Sequence, residues 1–339
     1  RKTYRNLGEE ARKNLRGNLL ELKKFNPQTA EKGVLILNYT NHFPDFLVNY
    51  NLDQMARNYY IVLEPSWAGY CTTQILMFIN NLREVIVQCP ETKDFQFIKS
   101  LNSNLAPLKL GSSHWMDLES FRPLPDVNKE YDLIYVANWA FYKRHIELFK
   151  ALKALKNKGQ QLRVLLLGFT WSGTTRSKED LIREIQKFGV QDICTIMEGL
   201  SAEEVNLYLN KSKFSILLSK KEGSCRAVAE SLCAGVPVLV YKYNIGGAIN
   251  FINQQTGDLS DYKELPAKIL EMLAKYKQFK AREWSEQNIG YINATEKLNA
   301  FIKTTAKNRG EIWSQDIEYK VNTKGFKLKP GKRAWSEKI

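Results

Sequence analysis

A glutamate in a strand-to-helix loop, followed eight positions later by a second one on the helix, is the arrangement in this sequence richest in chemistry. Residues 219–237, SKKEGSCRAVAESLCAGVP, contain both, Glu222 and Glu230. An apolar run ends there, a Gly/Ser turn follows, and helix-period sequence begins. At about 100° per residue, Glu230 lies about one and a half turns into that helix. Gly223 and Ser224 place N–H groups beside a helix N-terminus, which is a seat for a phosphate. A carboxylate farther along the same surface can accept hydrogen bonds from both hydroxyls of a ribose. Two glutamates on a helix are ordinarily solvated surface residues, but with the turn in front of them they read as a clamp for a nucleoside diphosphate.

Such a clamp needs strands to aim it, and the chain supplies them. Apolar runs of strand length alternate with helix-period segments, the pattern of α/β domains with parallel sheets. Strands are expected at 33–38 (GVLILN), 60–64, 84–88 and 107–110, with helices at 45–57, 72–80 and 94–102. A proline-bearing stretch, 121–128 (FRPLPDVN), reads as a linker, because proline removes a backbone donor and disfavours helix before it. A second series follows, with strands at 133–137, 163–167, 194–197, 214–218 and 237–241 and helices at 145–157, 178–188, 202–210, 225–234 and 264–276. A long helix is expected from 279 to about 307, and after it a Gly/Lys/Pro-containing tail. At 339 residues, two domains are the expectation. We place them at 1–124 and 125–278, with a cleft between them suited to ligands and with 279–339 as a terminal helix and basic tail. A chain opening at Arg1, inside helix-period sequence, is expected to be a piece of a longer one.

The clamp segment and its surroundings resemble the retaining glycosyltransferases of family 4, which have the GT-B fold. The E-x7-E spacing, the following Cys233-Ala234-Gly235-Val236-Pro237-Val238, and the loop Asn244-Ile245-Gly246-Gly247 with Thr256-Gly257 downstream carry the likeness. So do Asp117, Phe121 and Pro123 in a segment similar to the family's NGVDxxxFxP linker; its Asn-Gly is not supplied here. Residues 136–144 (VANWAFYKR) align with the family's VGRLxxxKG, with Asn138 in place of its arginine and Ala137 and Arg144 in place of its glycines. The resemblance implies two Rossmann-like domains facing across a cleft, with a C-terminal helix crossing back to the first. It implies transfer of a sugar from a nucleotide sugar with retention, without metal or other cofactor, the leaving diphosphate being held by cations and a helix N-terminus. Residue by residue, it gives Lys143 to the diphosphate, Glu222 to the transferred sugar and Glu230 to the ribose. Gly246 and Gly247 would face sugar and phosphates, Gly168 would line the nucleotide pocket, and Met197 lies in the stretch bordering the base. Arg144 or Arg226 would replace the missing cation, although Arg226, in the first helical turn, opposes the helix dipole.

The first half is less legible. His42, in NYTNHFPD, and Glu64 follow strands at the edge where ligands bind, and each is a candidate catalytic or acceptor-binding group, against the plainer reading of a loop residue that caps or packs. The stretch 168–175 has P-loop glycine spacing but lacks the lysine that reaches the phosphates, which excludes a nucleoside triphosphatase. No GxGxxG follows a strand, which counts against a nicotinamide or flavin enzyme.

The net charge of +14 sits at the ends: residues 1–24 carry +5, residues 303–339 carry +6, and the whole middle only +3. Such segments suit an anionic membrane surface or an acidic glycan, or serve only as solvated faces; no nucleic-acid motif accompanies them. The crossing helix would bring both ends to the acceptor domain, giving a positive surface suited to an anionic membrane or a lipid-linked acceptor; the acceptor is expected to be a glycan, a lipid-linked sugar or another group. Five scattered cysteines without a CxxC read as buried thiols in a reducing compartment, and no apolar run reaches membrane-span length. A cytoplasmic, peripherally associated enzyme is expected. The rivals are a catalytically inactive nucleotide-sugar sensor on the same fold and a nucleotide-sugar epimerase.

Overall fold

The computed structural model describes residues 18–66, 72–170, 176–321 and 327–328. The chain divides into two compact units, Arg1–Asp117 with Ile289–Ile339 and Leu118–Asn288.

The first unit is built on a five-stranded sheet: β1 (Leu19–Lys23), β2 (Gly33–Asn38), β3 (Tyr59–Glu64), β4 (Val85–Gln88) and β5 (Leu105–Leu108), lying side by side in that order. β1 is antiparallel to β2 and all other pairs are parallel. Strand periodicity divides the apolar residues between two faces. Leu35, Leu37, Ile61, Leu63, Val85 and Val87 pack with Phe43, Phe46, Phe78 and Ile98, supplied by α1 (Phe43–Asn49), the segment after α3 (Thr73–Leu76), and α4 (Thr92–Ser100). Val34, Ile36, Tyr60, Val62 and Ile86 pack instead with Ala294, Leu298, Ile302 and Ala306, on the helix Tyr291–Asn308. The C-terminal helix therefore belongs to the first unit. Truncating one of its buried leucines or isoleucines to alanine costs about 2–5 kcal/mol.

Three expectations for this unit need correction. The helix expected at 45–57 is two, α1 and α2 (Leu52–Asn58), because Tyr50 is extended and the Asn51 side chain caps the second through the Gln54 N–H. The helix expected at 72–80 is the single turn α3. Strand β1 was not expected at all, and it makes the sheet five-stranded rather than four.

The second unit carries a six-stranded, all-parallel sheet: β6 (Tyr131–Val136), β7 (Val164–Gly168), β8 (Cys194–Glu198), β9 (Ser212–Leu217), β10 (Val238–Tyr241) and β11 (Gly257–Ser260). Its order is β11-β10-β9-β6-β7-β8. Helices α5 (His145–Asn157), α6 (Lys178–Phe188), α7 (Ala202–Asn210), α8 (Arg226–Cys233) and α9 (Leu265–Lys275) alternate with the strands, as right-handed parallel crossovers require. Ser177–Asp180 and Ser201–Glu204 form capping boxes at the starts of α6 and α7. Strand order reverses between β6 and β9. Loops leaving the carboxyl ends of these two neighbours go opposite ways and open a crevice, the place where ligands bind in open α/β sheets.

The stretch 121–128 is fastened to this unit: Phe121 is buried, and the Arg122 and Leu124 N–H groups donate to the Asn206 and Asn210 side chains, at 3.1 and 2.8 Å. The helix expected from 279 to 307 is interrupted. α10 (Ala281–Asn288) lies in the second unit and α11 (Tyr291–Asn308) in the first. Between them the Gly290 and Tyr291 N–H groups donate to the His114 and Met116 carbonyls, at 3.0 and 2.9 Å, so the helical ladder is diverted into another segment.

Candidate functional site

The reversal point of the second sheet is where the expected clamp lies. β9 is a buried run that ends at Leu217, and the segment 218–225 leads to α8. Cys225, just before the helix, adopts a left-handed conformation (φ 55°), and no side chain caps the helix there. The Val228 N–H reaches the Cys225 carbonyl at 3.2 Å, and the N–H groups of the two residues before it, Arg226 and Ala227, have no acceptor inside the helix. Glu222 lies in this segment and is only 6% exposed. Its carboxylate accepts the Ser219 hydroxyl and the Lys143 ammonium, the latter at 2.6 Å. Lys143 comes from the other side of the reversal point, from the tight turn Phe141–Lys143 after β6.

Electrostatics keep Lys143 charged. Burial is the largest single influence on Lys143 and pulls its pKa down, but the Glu222 carboxylate together with Cys225 and Tyr142 outweighs it, so the net shift is upward. Lys143 stays an ammonium across the physiological range.

A second loop closes on the first. Ile245 N–H donates to the Lys220 carbonyl at 2.8 Å, Glu222 N–H to the Ile245 carbonyl at 2.9 Å, and Gly247 N–H to the Gly223 carbonyl at 3.0 Å. The Asn244 amide adds a bond to the Ser219 carbonyl at 2.8 Å. Gly246 sits at φ 142°, and a Cβ there would stand 2.4 Å from the Glu222 carbonyl oxygen, so only glycine lets the two backbones meet. Gly223, Glu222, Gly246 and Gly247 thus form one rigid wall. Ser224, between them and the helix, is buried.

Glu230, in α8, accepts from Arg226 Nε at 2.7 Å. Burial lifts its pKa above the usual carboxylate range, and Arg226 opposes that only in part. Arg144 adopts a left-handed conformation (φ 60°) at the start of α5 and bonds Glu147 at 2.6 Å, with its guanidinium 5.8 Å from the Tyr262 ring; its Nε has no partner. Asn138 bonds the Tyr142 hydroxyl at 3.0 Å and accepts the Ala140 N–H, shaping the turn that carries Lys143. Gly168 ends β7, where a Cβ would stand 2.0 Å from the Ala137 carbonyl and 2.8 Å from the Trp139 ring. Met197, in β8, is half-buried. Gly168 is described, but residues 171–175 of the P-loop-like stretch lie outside the described residues.

The structure therefore brings Lys143 and Glu222 together and pairs Arg226 with Glu230. Sequence reasoning gave no role to Ser219 or Asn244. Their only signal was position, three residues before Glu222 and two before Gly246, and short polar residues in loops carry no distinguishing pattern.

In the first unit, His42 lies in the turn Thr40–His42, its Nε2 between the Asn18 and Asn41 amides at 3.1 and 3.2 Å. Glu64 is 2% exposed and ion-paired with Lys320 at 2.8 Å, with the Lys320 ammonium 4.5 Å from the Trp115 ring centre. The Glu64 carboxylate is thus held inside the protein and is not presented at an edge. Cys89, Cys225 and Cys233 are buried thiols outside any disulfide, Cys194 is half-buried, and Cys71 lies outside the described residues. Among the described residues, no group of three or more His, Cys, Asp or Glu is placed to hold a metal ion, and no helix is long and apolar enough to cross a membrane.

Comparison with known proteins places this geometry. The family model for glycosyl transferases group 1 matches residues 117–288. A GDP-mannose:cellobiosyl-diphosphopolyprenol alpha-mannosyltransferase of Xanthomonas oryzae pv. oryzae is 27% identical over 108 residues. That match covers 32% of this chain and 28% of the relative, so the chain spans well under half the length of the curated relative it matches. Among solved structures, sucrose-phosphate synthase from Thermosynechococcus elongatus superposes with a TM-score of 0.63 at 16% identity, over 81% of this chain and 74% of that one. HepE from Anabaena, solved with UDP and glucose, gives 0.61 at 12% identity, over 79% and 78%. These likenesses show the fold, two Rossmann-like units of the GT-B type.

Proposed function

Because the chain belongs to the glycosyl transferases group 1 family, we propose that it is a retaining glycosyltransferase whose donor is a nucleotide-diphosphate sugar. The observation that carries the proposal is the Lys143–Glu222 pair at the reversal point of the second sheet, walled by the Gly246–Gly247 loop. The bond between the sugar C1 and the diphosphate oxygen breaks in the reaction, its electron pair goes to that oxygen, and one further negative charge develops on the leaving diphosphate. Lys143 and the open N–H groups of α8 supply the compensating positive charge. Glu222 turns toward the sugar hydroxyls, and its bond to Ser219 keeps it in place when Lys143 is shared with phosphate. Glu230, lifted by burial, takes the ribose. The acceptor hydroxyl forms its bond to C1 from the face the leaving group departs and passes its proton to the departing phosphate oxygen, which gives retention without a covalent nucleophile. Cationic side chains do the work that a metal does elsewhere, and the reaction is metal-independent.

On the acceptor side, we place a glycan or lipid-linked sugar at the first unit, since the Xanthomonas relatives are named for a diphosphopolyprenol-linked acceptor. The basic ends would hold an anionic membrane surface; residues 1–17 and most of the basic tail lie outside the described residues. Vesicle sedimentation checks this: binding should rise with anionic lipid and fall with salt, and insensitivity to both removes the membrane role.

The deciding experiment offers GDP-mannose and UDP-glucose, with and without EDTA, alone and with a glycan-diphosphopolyprenol acceptor. Release of nucleoside diphosphate and the product anomer are read by chromatography and proton NMR. Retained configuration and indifference to EDTA are expected. An inverted anomer ends the retaining mechanism, a requirement for added metal ends metal independence, and binding without any hydrolysis or transfer ends the transferase reading in favour of a sensor.

A further inference from the structure

Leu218 is the first residue beyond β9 and stands four positions before Glu222. Neither of its backbone polar groups is satisfied by a neighbouring strand. Its N–H donates to the Tyr135 hydroxyl at 3.3 Å, and its carbonyl accepts the Tyr262 hydroxyl at 2.8 Å. Each tyrosine reaches onward. Tyr135, fully buried in β6, donates its hydroxyl proton to the Lys143 carbonyl. Tyr262 lies beside the Arg144 guanidinium and stacks flat on Tyr241, with ring centres 4.1 Å apart and planes 9° apart. The two phenols thus grip the two peptide groups that flank Leu218, at the start of the loop that carries Glu222, and tie them to the turn that carries Lys143 and Arg144.

Resting on the donor-site reading above, we infer that Tyr135 and Tyr262 are positioning residues that set the spacing between the Lys143–Arg144 turn and the Glu222 loop, and so determine how well the site holds a diphosphate. Loops leaving opposite sides of a reversal point share no ladder of their own, so something must fix their separation. A hydroxyl that donates to one loop and accepts from the other does this with a single atom. Burial keeps both phenols protonated and able to donate: Tyr135 is pushed far above the usual tyrosine range and Tyr262 up to about 12. The buried Tyr135 ring, and the half-buried Tyr262 ring stacked on Tyr241, have few rotamers and hold those hydroxyls in place.

The test compares wild type with Tyr135→Phe and Tyr262→Phe, which keep the rings and remove only the hydroxyls. Affinities for GDP, UDP, GMP and UMP are measured by calorimetry, alongside thermal unfolding. For Tyr135→Phe, nucleoside diphosphate affinity should fall about tenfold, consistent with losing about one well-placed hydrogen bond, while monophosphate affinity stays within about twofold. For Tyr262→Phe, whose link to the turn runs through a guanidinium, the same selective loss should be about threefold. Amide exchange at Leu218 should accelerate in Tyr135→Phe without any ligand present. If both variants lose stability while their diphosphate-to-monophosphate ratio matches wild type, the tyrosines are merely structural and the inference is overturned. If Tyr135→Phe does not fold, Tyr262→Phe alone decides by the same ratio. If wild type binds neither GDP nor UDP, the donor-site reading itself is wrong and the inference goes with it.

Discussion

The two units solve the same construction problem differently. Each is a largely parallel sheet with polar residues at its strand ends, and each places a lysine–glutamate pair at or beyond the end of a central strand. In the second unit, strand order reverses between β6 and β9, and the pair joins the loops on either side of the reversal. In the first, β2 to β5 follow one another without reversal, and the pair joins β3 to the C-terminal segment at Lys320. The side chains of Lys143 and Glu222 keep 12% and 8% of their exposure, whereas those of Lys320 and Glu64 keep 1% and 2%. A nearly dry pair under a tryptophan can hold the chain together but has no route to a ligand. A pair at the lip of a crevice can exchange one partner for a phosphate. Reversal of strand order, more than the identity of the charged residues, separates a site from a clasp.

Lys320→Met should produce the largest change in stability. Removing the ammonium from this buried pair costs about 3–5 kcal/mol, read by denaturant unfolding. GDP or UDP affinity of the folded fraction should not change. A variant as stable as wild type would break the comparison from the clasp side. Lys143→Met should act the other way. Transfer should fall by about two to three orders of magnitude, the usual loss when a charge-stabilising donor is removed, and the folded fraction should remain well populated. A variant that transfers sugar at the wild-type rate would show that this pair, too, is only a clasp.

Acid should sharpen the contrast, because Lys320 is not the only tie on the C-terminal segment. Burial alone would raise the Glu31 pKa, but the Lys23 ammonium, the Ser314 hydroxyl and N–H, and the Gln315 N–H together hold it down to about 2. A depressed carboxylate contributes stability that is present above its unfolded pKa, about 4.5, and is lost as pH falls through the folded value near 2. Wild type should therefore lose stability progressively below about pH 4.5. Glu31→Gln should begin less stable at neutral pH and show a shallower slope in that window by circular dichroism. An unchanged slope would remove Glu31 from the fastening.

How much of this was legible follows from where the signals lie. The second unit's strands and helices stand within a residue or two of their expected positions at 145–157, 178–188 and 202–210, because long periodic segments with caps report their own structure. Strand β1 (LLELK) was missed: it is antiparallel, lies at the sheet edge, and sits among lysines, so it shows no uninterrupted apolar run. β11 (GDLS) is too short and polar to stand out. The break between α10 and α11 was hidden because the apolar period continues through buried Ile289, while the acceptors that interrupt the ladder lie in a loop far away in sequence. Partnership of Glu64 with Lys320 was unreadable for the same reason, since 256 positions separate them. Glu222 was singled out by its place between strand and helix, and Lys143, Gly246 and Gly247 because a resemblance supplied an order and spacing. Tyr135 was not, because a tyrosine in an apolar strand looks like core.

The smallest effect expected is also the most diagnostic of the substituted cation. Arg226 is half-exposed and spends its Nε on Glu230 one turn later in α8. An i,i+4 pair of this kind contributes only about 0.3–0.5 kcal/mol, and an arginine in the first turn opposes the helix dipole, so Arg226→Ala should barely alter stability. Glu230, released from its partner, would be free to meet a ribose. If Arg226 serves the diphosphate, GDP or UDP affinity falls severalfold while nucleoside affinity holds. If it serves only to restrain Glu230, nucleoside affinity rises instead. Unchanged values for both would leave Arg144, with its unpartnered Nε beside the Lys143 turn, as the cation that replaces the arginine missing at Asn138.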